Sequence, residues 1–382
     1  MTTSSRVTPS YAAEGAPSAL AYAPLALARG PAWPNRLALA PLTNWQSHAD
    51  GTLADAEYAW LMRRAEGGFG LTMTCAAFVH PSGQGFPGQL GIADARHDAG
   101  LRRLAEGLGA AGTISSVQLQ HSGARAPQEL TGRSPMNPSA DPETGAVAMT
   151  EADIEAMIEW FIAAALRADA AGFDGVELHA AHGYLLCAFL SRTLNQRDDA
   201  WGGSRDNRAR ALMRIIAGIR ARCRPGFQLG VRLSPERWGI DIDDIVALAG
   251  ELLADDAVDY VDMSLWNVFK RPHGRESGPS LLEIFAALPR ASARLGVTGK
   301  IRTPAQIQQA LAAGVDFVML GRAAIVDGDY PRALQADAAF RPTPMPAPAA
   351  HLAAQAVSPP FLRYLATHFP DTVDAASLPA ES

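Results

Sequence analysis

The sequence predicts an α/β chain folded as one (β/α)8 TIM barrel, and three observations carry that expectation. Short apolar runs recur at residues 37–40, 70–76, 113–119, 175–178, 228–233, 260–264, 296–299 and 317–320. They are nearly continuous rather than alternating, as strands buried on both faces of a parallel sheet must be. Helical periodicity fills the gaps between them; in residues 151–171, Ile154, Ile158, Ile162 and Ala165 recur three or four positions apart. A train of eight such units favours a closed barrel over an open sheet.

Taken in order, residues 1–34 are rich in Ala, Pro and Ser and read as a tail leading into the fold. The barrel is expected over residues 35–340 as a single domain. Within it, residues 121–150 form a long loop rich in Pro, Ser and Gly, the length at which loops tend to wall a binding site. Ser204, after Gly202 and Gly203, is placed to cap a helix running through Ile216. Residues 341–382 begin with the Pro/Ala-rich stretch RPTPMPAPAA, an extended linker, and continue into a last helix around residues 360–368.

Hydrophobic residues make up 48% of the chain, enough for a large core, and the formal net charge of −6 argues against a nucleic acid or an acidic membrane as partner. Cys75, Cys187 and Cys223 are far apart and form no Cys-x-x-Cys pair, which excludes a sequence-local zinc ribbon or clustered iron–sulfur motif. Their spacing also suits a reducing compartment. The N-terminal residues lack a basic start followed by an apolar run, and no stretch of 18 apolar residues occurs. The expected location is the cytoplasm.

Barrel chemistry gathers at the C-terminal ends of the strands. Those positions hold Pro41, Leu42 and Thr43; Ala76 and Ala77; Gln118; His179, His182 and Tyr184; Arg232; Gly299 and Lys300; Gly321 and Arg322. No carboxylate pair of the glycosidase kind is among them. A glycine followed by a cation after strands seven and eight suits phosphate, because backbone N–H groups approach closely where no side chain intervenes. Each signal has a plainer reading. The His179/His182 pair lacks a third metal ligand, so no metal is expected, and either ring could be structural. Tyr184 could be a core aromatic, and Gln118 a satisfied core amide. Arg232 could pair with Glu177 or Asp262, and Gly321 with Arg322 could merely cap a helix.

The segments GFDGVELHAAHGYLLCAFLS (172–191) and WGGSRDNRAR (201–210) resemble the signature region of the Old Yellow Enzyme family. NRLALAPLTNWQS (35–47), VQLQHSGARA (117–126), VRLSP (231–235) and FVMLGRAAI (317–325) fall in that family's order and spacing. The resemblance implies an ene-reductase holding FMN, with NADH or NADPH as hydride donor and an activated alkene as substrate. It implies that Pro41, Leu42, Thr43 and Ala76 flank the flavin, with Thr43 on its C4 carbonyl. Gln118 and Arg232 would hold its pyrimidine edge, and Gly299, Lys300, Gly321 and Arg322 its phosphate. His179 and His182 would hold the substrate's oxygen, and Tyr184 would give the proton. A homo-oligomer is compatible with this reading. Two other readings stand beside it: a flavin-free phosphate-binding aldolase or isomerase, for which Lys300 is the available Schiff-base lysine, and a non-catalytic FMN-binding protein.

Overall fold

The computed structural model describes residues 19–378, so residues 1–18 of the expected tail and residues 379–382 lie outside it. Eight parallel strands close into a barrel in which each neighbours the next in sequence and the last returns to the first. They are β1 (Leu37–Leu39), β2 (Leu71–Phe78), β3 (Ile114–Gln120), β4 (Gly175–Ala180), β5 (Gln228–Leu233), β6 (Tyr260–Ser264), β7 (Arg294–Thr298) and β8 (Phe317–Leu320). The fold class and the strand order agree with the sequence, and β5, β6 and β8 have the predicted bounds. β2, β3 and β4 run further than their apolar runs, so His179 lies inside β4 rather than beyond it. Apolar character marks a strand's buried stem and misses polar residues at its reactive end.

The helices between strands follow from their caps. Thr150 and Asp153 form a reciprocal capping box at the start of Glu151–Ala171, and Gly172 ends that helix in a left-handed conformation. Ser204 accepts from the Asn207 N–H, as expected, but the helix continues past Ile216 to Arg222. Arg220 and Arg222 in its last turn suit the negative end of the helix dipole.

The N-terminal end of the barrel is sealed. Trp33, Tyr260 and Phe317 pack edge to face, with centroids 4.8–5.7 Å apart. The Trp33 indole N–H donates to Gln228 Oε1 at 3.0 Å. Two strand glycines make room for the rings: a Cβ on Gly230 would lie 2.1 Å from the Tyr260 ring, and one on Gly296 would lie 2.1 Å from the Phe317 ring.

The C-terminal end is roofed by loops. Residues 121–150 contain two short helices, Gly123–Arg125 and Gln128–Thr131, and a pair of short strands, Met136–Asn137 and Val147–Ala148. Residues 341–350 are docked on the barrel: Thr343 donates through its N–H and its hydroxyl to Asp327, and Ala347 pairs with Val373. Two helices follow, Ala349–Ala354 and Pro359–His368, where the sequence suggested one. Arg64, fully buried, fastens this segment down by donating to the carbonyls of Trp60, Ala324, Ile325 and Gln355.

Candidate active site

A cavity of about 630 Å³ opens at the C-terminal end of the barrel, within the size range of small-molecule sites. Pro41, Leu42, Thr43, Ala76, Gln118, His179, His182, Tyr184, Arg232, Gly299, Lys300, Gly321 and Arg322 all line it. Of the nominated strand-end residues only Ala77 does not, being buried behind the wall. The sequence missed Arg125, Trp238, Ser264, Trp266, Thr298, Arg302, Tyr364 and Phe369, which line it too. Ser264 and Thr298 are the last residues of β6 and β7, so the strand-end rule could have found them. Tyr364 and Phe369 stand in and just after the last long helix, far from any strand, and carry no local signal.

Register explains the polar layer below the cavity. Parallel pairing sets Gln118 beside Glu177, and Arg232 between His179 and Asp262. Gln118 Nε2 donates to Glu177 Oε1 at 2.8 Å, while Arg232 Nε lies 3.1 Å from Asp262 Oδ2. The Asp262 alternative for Arg232 is therefore realised as an ion pair. Its alignment is poor, however, and Arg232 Nε and Nη1 are buried without a hydrogen bond. Burial pushes the Glu177 and Asp262 carboxyls upward, and the Asp262 charge adds to the rise at Glu177. Two carboxyls and one guanidinium become neutral as a group when one carboxyl keeps its proton. Such a layer leaves the guanidinium's orphaned N–H groups available to a ligand.

The histidines form a chain. The Ala181 N–H donates to His179 Nδ1 at 3.3 Å, so the neutral ring carries its proton on Nε2. His179 Nε2 meets His182 Nδ1 at 3.2 Å, and His182 Nε2 meets Ser264 Oγ at 2.7 Å. Burial holds His179 down at about 3 and His182 well below its usual value, with Arg232 acting in the same direction on both, so both rings are neutral at pH 7. For the pair to hold a substrate oxygen, as the resemblance implies, that oxygen must displace partners already present. Among the described residues, no group of three His, Cys, Asp or Glu side chains converges as a metal site.

Tyr184 follows β4 and precedes the short helix Leu185–Leu190, its ring 5.0 Å from His179 and nearly perpendicular to it. The Arg125 guanidinium carbon stands 4.8 Å from the Tyr184 ring centre. Burial pushes the nearby Tyr364 phenol up to about 12, opposed by a hydrogen bond from Thr43. His182, Trp238, Trp266 and Lys300 hold positive φ values of 63°, 50°, 59° and 52°. Non-glycine residues in that region carry strain, which gathers at ligand-binding loops. Gly299 is needed between them, because a Cβ there would lie 2.9 Å from the Trp266 backbone carbon.

The WGGSRDNRAR segment lies elsewhere, at a separate arginine-rich cavity. Each arginine there is ion-paired: Arg192 and Arg208 with Asp244, Arg197 with Asp199, and Arg205 with Glu251. The segment clamps helices together.

Residues 22–339 match the NADH:flavin oxidoreductase / NADH oxidase family. A "probable NADH-dependent flavin oxidoreductase" of Bacillus subtilis is 33% identical over 308 residues, covering 78% of this chain and 82% of that one. An NADH:fumarate oxidoreductase of Klebsiella pneumoniae is 35% identical over 325 residues; the match covers 80% of this chain but 35% of that longer protein. Among solved structures, the Old Yellow Enzyme homologue from Zymomonas mobilis superposes with a TM-score of 0.75 at 25% identity, covering 84% of this chain and 94% of that one.

Proposed function

The chain belongs to the NADH:flavin oxidoreductase / NADH oxidase family, that of the Old Yellow Enzymes, and on that premise we propose that it reduces the C=C bond of α,β-unsaturated carbonyl or nitro compounds, with Tyr184 as proton donor. FMN is the cofactor and NADH or NADPH the hydride donor. One observation carries the finer reading: a neutral histidine pair and a phenol share a cavity with cations and, among its lining residues, no carboxylate.

The lining suits FMN. The orphaned N–H groups of Arg232 call for an acceptor, and Thr43, Ala76 and Gln118 are the other groups for the ring's polar edge. Gly299, Lys300, Gly321 and Arg322, joined by Arg302, would take the phosphate. Asp371 now bridges Arg302 and Arg322, so the anionic partner those guanidiniums favour is already indicated. When bound, FMN supplies hydride chemistry between nicotinamide and an electron-poor alkene.

The side chains do the rest. His179 and His182, neutral and each with one N–H, hold the substrate's carbonyl or nitro oxygen. They draw density from the double bond and stabilise the negative charge developing on oxygen. To do so, His179 gives up His182 and His182 gives up Ser264 in exchange for the substrate. Tyr184 gives its hydroxyl proton to the α-carbon, forming the C–H bond as its O–H bond breaks, and water later returns the proton. Arg125, above the ring, favours the resulting tyrosinate. Burial makes the Tyr364 phenol hold its proton more tightly than an ordinary phenol does. Trp238, Trp266 and Phe369 narrow the mouth and limit water.

Tyr184→Phe keeps the ring and deletes the acid. Turnover with cyclohexenone should fall by roughly 10²–10⁴, the scale of a general acid. Stopped-flow reduction by NAD(P)H should slow far less, because that half takes no proton from this phenol. Equal slowing of both halves, or of neither, removes Tyr184 from the mechanism.

A further inference from the structure

We infer that Arg125 reads a carboxylate on the substrate, so that the preferred alkene carries an acidic group beside the carbonyl held by the histidines; this rests on the ene-reductase reading above. The cavity's cations are Arg125, Arg232, Lys300, Arg302 and Arg322. Four of them belong to the strand layer or to the phosphate-suited loops. Arg232 lies in the strand layer against Asp262, and Arg302 and Arg322 share Asp371, in the same phosphate-suited loops as Lys300.

Arg125 is different. It comes from the loop after β3, is exposed, and among the described residues makes no ion pair. Its Nη1 donates to the His182 carbonyl at 2.8 Å and its guanidinium lies over Tyr184. The group is therefore aimed, and it stands next to the residues assigned to the reacting carbonyl and the proton. Its other N–H groups form a planar fork matched to a carboxylate. A chain with net charge −6 repels anions at long range, so a fixed cation among aromatic walls is what would admit one.

A purely structural role is the competing account, because the bond to the His182 carbonyl supports that residue's left-handed turn. Two variants separate them: Arg125→Gln keeps a donor and loses the charge, and Arg125→Lys keeps the charge. The acid 4-oxopent-2-enoate and its methyl ester are compared as substrates of the FMN-loaded enzyme. The acid-to-ester ratio of kcat/KM should drop about two- to fivefold in Arg125→Gln, the scale of one exposed charge pair. In Arg125→Lys it should recover at least half of that loss. A ratio unchanged in both variants overturns the inference. A loss confined to the rate of reduction by NADPH or NADH also overturns it, by assigning Arg125 to the dinucleotide's phosphates.

Calorimetric binding of 4-hydroxybenzoate and of its methyl ester to the oxidised holoenzyme reads the same charge without turnover. The acid should lose about two- to fivefold in affinity relative to the ester in Arg125→Gln. If cyclohexenone and both alkenes go unreduced, the ene-reductase reading fails, and calorimetry alone then decides whether Arg125 binds carboxylates. Equal binding of acid and ester by wild type and Arg125→Gln sinks the Arg125 assignment while leaving cyclohexenone turnover to judge the other.

Discussion

The two ends of the barrel are built from opposite materials. At the N-terminal end, Trp33, Tyr260 and Phe317 interlock over glycines whose missing side chains leave room for the rings. At the C-terminal end, the same strands finish in hydroxyls, imidazoles and guanidiniums, and the loops that follow hold non-glycine residues at positive φ. Both ends are dense, and each leaves a buried polar group without a partner, the Tyr260 hydroxyl below and the Arg232 guanidinium above. The plug has a partner for the Trp33 N–H, whereas the upper layer leaves Arg232 N–H groups without one. A parallel barrel can thus keep its stability and its chemistry on separate strand termini, and changes at one end should be felt little at the other.

Trp33→Ala breaks that division most severely. It should cost about 3–5 kcal/mol of unfolding free energy, the usual loss for a buried large aromatic. FMN affinity of the folded protein should hold within a factor of a few. Urea unfolding together with FMN titration checks both, and a large affinity loss would mean the ends are coupled.

Acid should strain the upper end more than the lower. His121 and His179 are held down to about 3 by burial, while an unfolded histidine titrates near 6.5. Between those values the unfolded chain binds protons that the folded chain refuses. Stability is therefore complete above about pH 6.5 and falls as pH drops toward 3, on the order of 2 kcal/mol per histidine at pH 5. Glu177 acts in the reverse sense: its raised carboxyl contributes fully below the ordinary glutamate value and loses that contribution as pH rises. Urea midpoints of wild type and Glu177→Gln at pH 5, 6.5 and 8 should show the variant losing less from 6.5 to 8. Identical profiles would mean Glu177 titrates normally.

Smaller effects belong to single contacts with the cofactor. Arg322→Ala should weaken FMN binding about tenfold to a hundredfold, as for one charge-assisted contact, and barely change stability. Equal FMN retention by wild type and variant through dialysis would move the phosphate elsewhere. Thr43→Ala should lower the flavin midpoint potential modestly, because a hydroxyl donor withdraws electron density from the ring. A potential matching wild type in dye equilibration would leave Thr43 as the partner of Tyr364 alone.

How much of this was legible in the sequence follows the same division. Strands β5, β6 and β8 were readable to the residue because their apolar runs stop where their strands stop. The nominated cavity residues were readable because barrel geometry brings strand ends together whatever their spacing in sequence. Hydrogen-bond direction was not readable: nothing in His-x-x-His says that one ring faces the other, or that Ser264 occupies the second. Nor does RPTPMPAPAA reveal that the residues beyond it fold back, since its docking depends on Asp327 and on a bridge to Val373.

That return has a consequence in time. The cavity's walls include Pro41 near one end of the chain and Phe369 near the other. On a ribosome the barrel strands all emerge before the segment that roofs them, and Arg64 waits for the Gln355 carbonyl until that segment arrives. The aromatic plug can set as soon as Phe317 joins Trp33 and Tyr260, whereas the pocket stays open-topped for another stretch of synthesis. Synthesis thus delivers every residue of the base before Tyr364 and Phe369, the last residues to join the cavity wall.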